Sequence, residues 1–182
     1  MSISVITATV TGRESMLDEC VASVVAQTLK PVEHIVMLDS ELEGCSAMVN
    51  RMVAKADGDW LFFLADDDLI LPRCLELHWE ATDGADIVYG PPLIWGIHDP
   101  WWYFQAPPAI PATALMRKSL FLDLGGYDED ATREEDRGLW TRALAAGAKF
   151  VRISDAPTWV YRLNHGGNKS LAETRYAAGV PV

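Results

Sequence analysis

Cysteine is scarce and unpatterned in this chain: Cys20, Cys45 and Cys74 form no Cys-x-x-Cys pair, and an odd number of them gives no disulfide framework. A reducing compartment is therefore the expectation. No apolar run comes near the about 20 residues that a membrane span needs. The amino terminus goes into Ile3-Ser4-Val5-Ile6-Thr7 without a charged leader, so neither a transmembrane segment nor a signal peptide is expected, and the sequence reads as cytoplasmic. Positive charge is also short. The net charge is −11, and residues 1–100 hold 17 acids against 5 bases while residues 101–182 hold 9 against 10. Without a basic footprint for polyphosphate contacts, DNA or RNA is not the expected main partner. Internal repeats and low-complexity segments are absent too. What remains is 182 residues at 49% hydrophobic composition, enough for a single compact domain with a substantial core.

Apolar and hydroxyl residues alternate over residues 3–9 and predict a first strand. Ser15 with Asp18 three residues on resembles a capping box, and Leu17, Val21, Val24 and Val25 recur at helical spacing, so a helix of about three turns follows until Pro31 stops it. Residues 34–38 read as a second strand ending in Asp39. A helix over 46–56, with Val49, Met52, Val53 and Ala56 on one face, leads into a third strand at Trp60. Strand and helix alternate as βαβαβ, then a helix over 73–81 and a strand over 87–89 follow. The pattern predicts a doubly wound, mostly parallel sheet flanked by helices, with functional residues at strand tips such as Thr9 and Asp39.

Past Gly90 the prolines 91, 92, 100, 107, 108 and 111 punctuate a stretch holding Trp95, Trp101, Trp102, Tyr103 and Phe104, which reads as irregular and aromatic-rich. Beyond it come a short strand over 113–116, a helical turn or two over 118–124, a tight turn at Gly125-Gly126-Tyr127-Asp128, a helix over 134–146 bounded by Gly147, and closing strands over 150–153 and 158–163.

The chain is organised around residues 60–72. Five large apolar residues, Trp60 to Leu64, follow the turn signal Asp57-Gly58-Asp59 and predict a strand covered on both faces. Asp66, Asp67 and Asp68 then lie just past its carboxyl end, where open α/β sheets bind ligands. Carboxylates this close repel one another unless a cation neutralises them, so a hard divalent ion or a phosphate role is expected. One of the three is also placed to cap the helix that Pro72 announces.

Taken in order, these segments resemble a glycosyltransferase of the GT-A fold, of the large family 2 of inverting enzymes that use nucleotide sugars. The resemblance runs from Ile3 to about Ser170. It rests on Val5-Ile6-Thr7-Ala8-Thr9, Ser23-Val24-Val25-Ala26-Gln27-Thr28, Ile35-Val36-Met37-Leu38-Asp39-Ser40, Asn50-Arg51 and Leu64-Ala65-Asp66-Asp67-Asp68. Gly125-Gly126-Tyr127-Asp128, Glu135-Asp136 followed by Leu139-Trp140-x-Arg142, and Tyr161-Arg162 complete it. Ala65 departs from the family's four-residue acidic signature, although Asp66 and Asp68 keep an Asp-x-Asp spacing, and Arg137-Gly138 depart from the aromatic and acid common after Glu-Asp.

The resemblance implies a nucleotide-binding half over 1–90, an acceptor half over 91–170 and a tail over 171–182. It implies Thr9, Asp39, Asn50, Asp66 and Asp67 as nucleotide-sugar contacts, and Asp66 and Asp68 with His165 as ligands of Mn2+ or Mg2+. The metal would neutralise charge on the leaving nucleoside diphosphate, UDP being the expected one. Asp136 is the expected base for the acceptor hydroxyl, with Glu135 as its substitute. The acceptor is a carbohydrate, lipid or protein. The aromatic stretch serves sugar stacking, loop packing or a homo-oligomer contact.

Two other readings stay open. A haloacid dehalogenase-like phosphatase would use Asp66 and Asp68 as its Asp-x-Asp pair, although that family places the pair on its first strand and Ile70 stands where it needs Thr or Val. A degenerate transferase domain would bind a sugar nucleotide or glycan without turnover. A sugar nucleotidylyltransferase wants a basic Gly-rich loop after the first strand, which Thr9-Val10-Thr11-Gly12-Arg13 does not supply.

Overall fold

The structure is a computed structural model that describes residues 2–95, 110–131, 134–153 and 156–162. Its first half is built as the sequence implies: β1 (Ile3–Thr9), α1 (Glu14–Val25), β2 (Glu33–Leu38), α2 (Cys45–Lys55) and β3 (Trp60–Phe63). Both β2 and β3 pair in parallel with β1, which lies between them. The chain thus reverses its direction of travel across the sheet at β1, and the carboxyl ends of β1 and β3 frame a topological switch point.

Further along come β4 (Leu69–Ile70), α3 (Cys74–Glu80), β5 (Ile87–Tyr89), β6 (Pro92–Trp95) and β7 (Ala114–Arg117). The order ends with α4 (Lys118–Asp123), α5 (Glu135–Ala145), β8 (Phe150–Arg152) and β9 (Trp159–Arg162). Six strands form the central sheet in the order β2-β1-β3-β7-β5-β8, mostly parallel, with β7 antiparallel to both its neighbours.

Apolar run and pleat together explain the layers. Side chains of a strand alternate between faces, so Trp60, Phe62 and Leu64 join a core with α1 and α3, while Leu61 and Phe63 join a second core with α2, α4 and α5. Met48, Met52, Phe121 and Leu139 fill the latter, Cys20, Val24 and Leu75 the former. Truncating a fully buried aromatic such as Phe62 costs about 3 to 5 kcal/mol.

Four sequence expectations are corrected. The closing strand of residues 158–163 does not extend the main sheet: β9 is the middle of a separate three-stranded sheet, antiparallel to β4 and parallel to β6. The irregular stretch after Gly90 begins with an ordered strand, β6, whose Pro92 is tolerated because it is the first residue of an edge strand. The capping box at Ser15 does not form, because α1 starts two residues earlier, with Arg13 rather than Ser15 at its N-cap and no side-chain cap; instead Glu14 turns back to accept the Gly12 amide at 2.9 Å. None of the three aspartates caps α3, whose N-cap is Arg73. Trp101 to Phe104 lie outside the described residues.

Candidate active site

Parallel pairing points the carboxyl ends of β1, β2 and β3 the same way, and the site is assembled on those ends. Thr9, the last residue of β1, donates its hydroxyl to Asp66 Oδ2 at 2.7 Å, joining the two sides of the switch point. Arg13, at the start of α1, places Nη1 at 2.6 Å from Asp66 Oδ1 and 3.3 Å from Asp67 Oδ2. Asp66, Asp67 and Asp68 are 3%, 8% and 3% exposed. Asp68 turns the other way and accepts the Arg162 amide at 3.1 Å, while the Arg162 guanidinium reaches Glu19 on α1 at 2.6 Å. Burial, then the adjacent Asp67, pushes the Asp68 carboxyl well above the usual carboxylate range.

Asp39 follows β2, and its amide donates to the Thr9 carbonyl at 2.8 Å. Its two carboxylate oxygens accept the amides of Glu43 and Gly44, each at 2.8 Å, in a turn that holds Leu42 at φ 57°. The Gly44 amide, opposed by burial and helped by the Glu43 amide, holds the Asp39 carboxyl below its ordinary value. Asp39 is therefore ionised and fixed at the strand tip.

The second group of acids comes from α5. Glu135 and Asp136 sit half-buried in its first turn, where the positive end of the helix favours negative charge. Burial raises the Asp136 carboxyl, and Glu135 adds to this against the amides of Arg137 and Asp136 itself. Cys45, the first residue of α2, is the common neighbour of both acidic groups. Crowding by the surrounding protein, followed by the charges of Glu135, Asp136 and Asp66, pushes its thiol up to about 12 although the residue is exposed. Tyr127, buried beneath, is raised first by burial and then by Asp136, Cys45 and Glu135. The thiol and the phenol are thus both neutral near neutral pH, and the Cys45 thiol lies close enough to feel charges both from beyond β3 and from the start of α5.

Asn50 lies on α2. Its Nδ2 donates to the Tyr127 carbonyl and to Glu129 Oε1, each at 2.9 Å, and its Oδ1 accepts the Tyr127 amide at 2.9 Å. With the Arg142 guanidinium donating to the Gly126 carbonyl, it clamps the glycine turn under α5. Gly126 has φ 72°, and a Cβ there would stand 2.5 Å from Asn50 Oδ1, so this position requires glycine.

The structure thus brings Thr9, Asp39, Asp66, Asp67 and Asp68 to adjoining strand tips, sets Glu135, Asp136 and Asp66 within electrostatic reach of Cys45, and places Asn50 on α2 against the glycine turn. His165 lies outside the described residues. Sequence reasoning gave no role to Arg13, Cys45, Tyr127 or Arg162. Arg13 did leave a signal, being the lone base before Lys30 in an acidic half and four residues past Thr9.

Among the described residues no cluster of three or more His, Cys, Asp or Glu side chains forms a ready-made metal cage. One guanidinium nitrogen shared by Asp66 and Asp67 nevertheless stands in for a cation between them. That donor set suits an ion held by one or two carboxylates and completed by substrate phosphates and water, as Mg2+ is commonly bound. A hollow of about 530 Å³ lined by Asp57, Asp59, Trp60, Arg117 and Lys118 lies at the opposite, amino-terminal end of β3 and contains none of these site residues.

No protein-family model matches the chain, and no curated protein sequence matches it either. Solved structures do. TarS of S. aureus, residues 1–349, in complex with UDP-GlcNAc superposes with a TM-score of 0.77 at 18% identity over 94% of this chain. A mannosyltransferase from Pyrobaculum calidifontis in complex with GDP-Man and Mn2+ gives 0.69 at 14% identity over 91%. The chain spans 61% of that TarS fragment, 37% of TarS in a longer form and 58% of the mannosyltransferase. The fold of the chain is that of these sugar-nucleotide-binding proteins, the GT-A fold that the sequence resembles.

Proposed function

We propose that the chain is an inverting glycosyltransferase that moves a sugar from a nucleoside-diphosphate sugar, a UDP-sugar in the first instance, to an acceptor hydroxyl with the help of a divalent ion. One observation carries this reading: the acids that follow β3 stand with Thr9 and Asp39 at the carboxyl-terminal tips of parallel strands, and the Cys45 thiol on α2 feels the charge both of Asp66 and of Glu135 and Asp136 at the start of α5. The likeness in fold to proteins holding UDP-GlcNAc and GDP-Man supports a nucleotide-sugar donor.

In this reading Thr9 and Asp39 border the nucleoside at the tips of β1 and β2, with the Asp39 carboxylate, fixed by two amides, accepting from a base imide. Asp66, Asp67 and Asp68 would hold Mn2+ or Mg2+, which when bound supplies positive charge to the departing diphosphate. Asp136 takes the acceptor proton. Its raised carboxyl is the more basic for being buried, which moves it toward the working pH of a general base, a role typically worth about 10²- to 10⁴-fold in rate. The neutral Cys45 thiol and Tyr127 phenol offer that base no cation. Attack from the α5 side on a leaving group held at the β3 side is an in-line displacement, hence inversion.

The test is Asp136→Asn beside Glu135→Gln, with donor affinity by calorimetry and donor hydrolysis or transfer on the same preparations. Asp136→Asn should lose about 10²-fold or more of turnover with donor affinity near wild type. Retained turnover with loss in Glu135→Gln would move the base to Glu135, and retained turnover in both would sink the mechanism. A donor that binds without any turnover in the wild-type protein would favour a binding module.

A further inference from the structure

We propose that Asn50 is a positioning residue for the acids of α5 and not a contact of the donor: its carboxamide fixes the glycine turn against which Tyr127 and α5 are set. This rests on the transferase reading and deepens it, because it moves to the acceptor side a residue that the sequence resemblance put on the nucleotide.

Both N–H groups of the carboxamide are already taken. A primary amide offers two donors and one acceptor oxygen. Asn50 Nδ2 gives its two to the Tyr127 carbonyl and to Glu129 Oε1, and Oδ1 accepts the Tyr127 amide, each at 2.9 Å. The two bonds to residue 127 are reciprocal, one given and one received, as between paired residues of neighbouring antiparallel strands. They also fix which way the carboxamide faces, since a flipped group would set N–H against N–H and oxygen against oxygen. On the Oδ1 side Gly126 is so close that a Cβ there would come within 2.5 Å. Arg51, the next residue, turns away to pair with Glu43 at 2.7 Å. The Asn50-Arg51 pair is thus divided between the glycine turn and the loop before α2.

The turn in its Asn50 clamp is a joint between elements. Arg142, in the last turn of α5, donates to the Gly126 carbonyl, and the Gly126 amide donates to the Phe121 carbonyl of α4 at 2.9 Å. The Tyr127 ring lies 5.8 Å from Phe63 of β3 and 5.6 Å from Phe121, and its phenol feels the charges of Asp136 and Glu135. Releasing the turn from α2 therefore lets α5 shift against the donor half. A base misplaced by about 1 Å can lose about 10²-fold in rate. Donor binding does not share that sensitivity, because Thr9, Asp39 and the acids after β3 are held at strand tips by bonds of their own.

The experiment uses Asn50→Asp, Glu129→Gln and the double variant, with UDP affinity by calorimetry in Mn2+, release of UDP from UDP-GlcNAc and other UDP-sugars, and Tm on the same preparations. Asn50→Asp keeps the shape but turns an oxygen toward the Tyr127 carbonyl and a like charge toward Glu129, and Glu129→Gln beside it restores a donor to that oxygen. Turnover per folded molecule should fall about 10- to 100-fold in Asn50→Asp with UDP affinity within about twofold of wild type. The double variant should recover at least about threefold of the loss, whereas Glu129→Gln alone should stay near wild type. Should Asn50→Asp not fold, Asn50→Ala is judged by the same split between affinity and turnover. A loss of UDP affinity as large as the loss of turnover would put Asn50 on the donor and overturn the proposal. A lower Tm with unchanged turnover per folded molecule would overturn it too, by showing a residue that serves stability alone. A wild type that binds UDP without any turnover fails the transferase reading, and the proposal falls with it; an active wild type with an equally active Asn50→Asp fails the proposal alone.

Discussion

Asp68 is held at a cost to the fold. It is 3% exposed, its described partner is one backbone amide, and Asp67 adds like charge beside it. Its folded carboxyl titrates above the unfolded value, so its contribution to stability is fully present below the unfolded value and is lost as the pH rises through the folded one. At neutral pH without metal the buried charge is therefore destabilising. Asparagine has nearly the same shape and its Oδ1 still accepts the Arg162 amide. Asp68→Asn should consequently raise Tm at pH 7.5 in EDTA, by on the order of 1 to 3 kcal/mol of stability, and the gain should shrink as the pH is lowered. The same variant should lose the Mn2+-dependent part of UDP binding. Differential scanning calorimetry across pH checks the first and calorimetric titration the second. A variant less stable than wild type at pH 7.5 would show that the carboxylate is better compensated than its surroundings indicate.

At the scale of elements, the segments that marked the sequence turn out to be clamps. Ser23 and Gln27, at the end of α1, hold the chain just beyond the acidic triplet: Gln27 Nε2 donates to the Leu71 carbonyl at 2.8 Å, Gln27 Oε1 accepts the Leu75 amide at 3.0 Å, and Ser23 Oγ accepts the Ile70 amide at 3.2 Å. Gln27 is 1% exposed, so Gln27→Leu leaves backbone groups unpaired where water cannot replace it. A loss of about 2 to 4 kcal/mol is expected by denaturant unfolding, together with weaker UDP binding although residue 27 touches no ligand. Unchanged UDP affinity in folded protein would separate this clamp from the site. The alternation of βαβαβ was legible because β1 alternates with a period of two, α1 and α2 recur at helical spacing, and β3 is an unbroken apolar run between turn signals. The small sheet was not. β4 is Leu69-Ile70 and β6 opens on Pro92, so both are too short or too irregular to show a period, and they exist because β9 pairs with them from a distant part of the sequence. The site divides in the same way. Asp66 to Asp68 and Glu135-Asp136 are local clusters that a sequence displays, whereas Arg13 meets Asp66 across 53 positions and Cys45 meets Glu135 only through the packing of α2 against α5.

Over the whole molecule, acidity and burial act on stability in opposite directions as the pH changes. With a net charge of −11 the chain gains protons readily on acidification, and Asp68 and Asp136, both raised, add stability as they become protonated. Two histidines oppose them. His34, hydrogen-bonded to Thr7 Oγ1 at 2.9 Å, and His78, fully buried in the core on the α3 side, are each pushed down to about 4 by burial. His78 Nδ1 donates to the Cys74 carbonyl at 2.7 Å, its ring meets Phe62 edge to face at 5.1 Å, and its buried Nε2 has no hydrogen-bond partner among the described residues to receive a second proton. A lowered base stabilises the fold above its unfolded value of 6.5 and loses that contribution as the pH falls toward 4. For His78 the loss over this window is at most about 3 kcal/mol. Comparing wild type with His78→Leu cancels the carboxylate contributions, since they are common to both proteins. His78→Leu should therefore gain stability relative to wild type steadily from pH 6.5 to pH 4 in urea unfolding, with no change in the difference above pH 7.5. Parallel stability curves through the acid range would mean that His78 is protonated in the folded protein, with a partner that its position in the core does not provide.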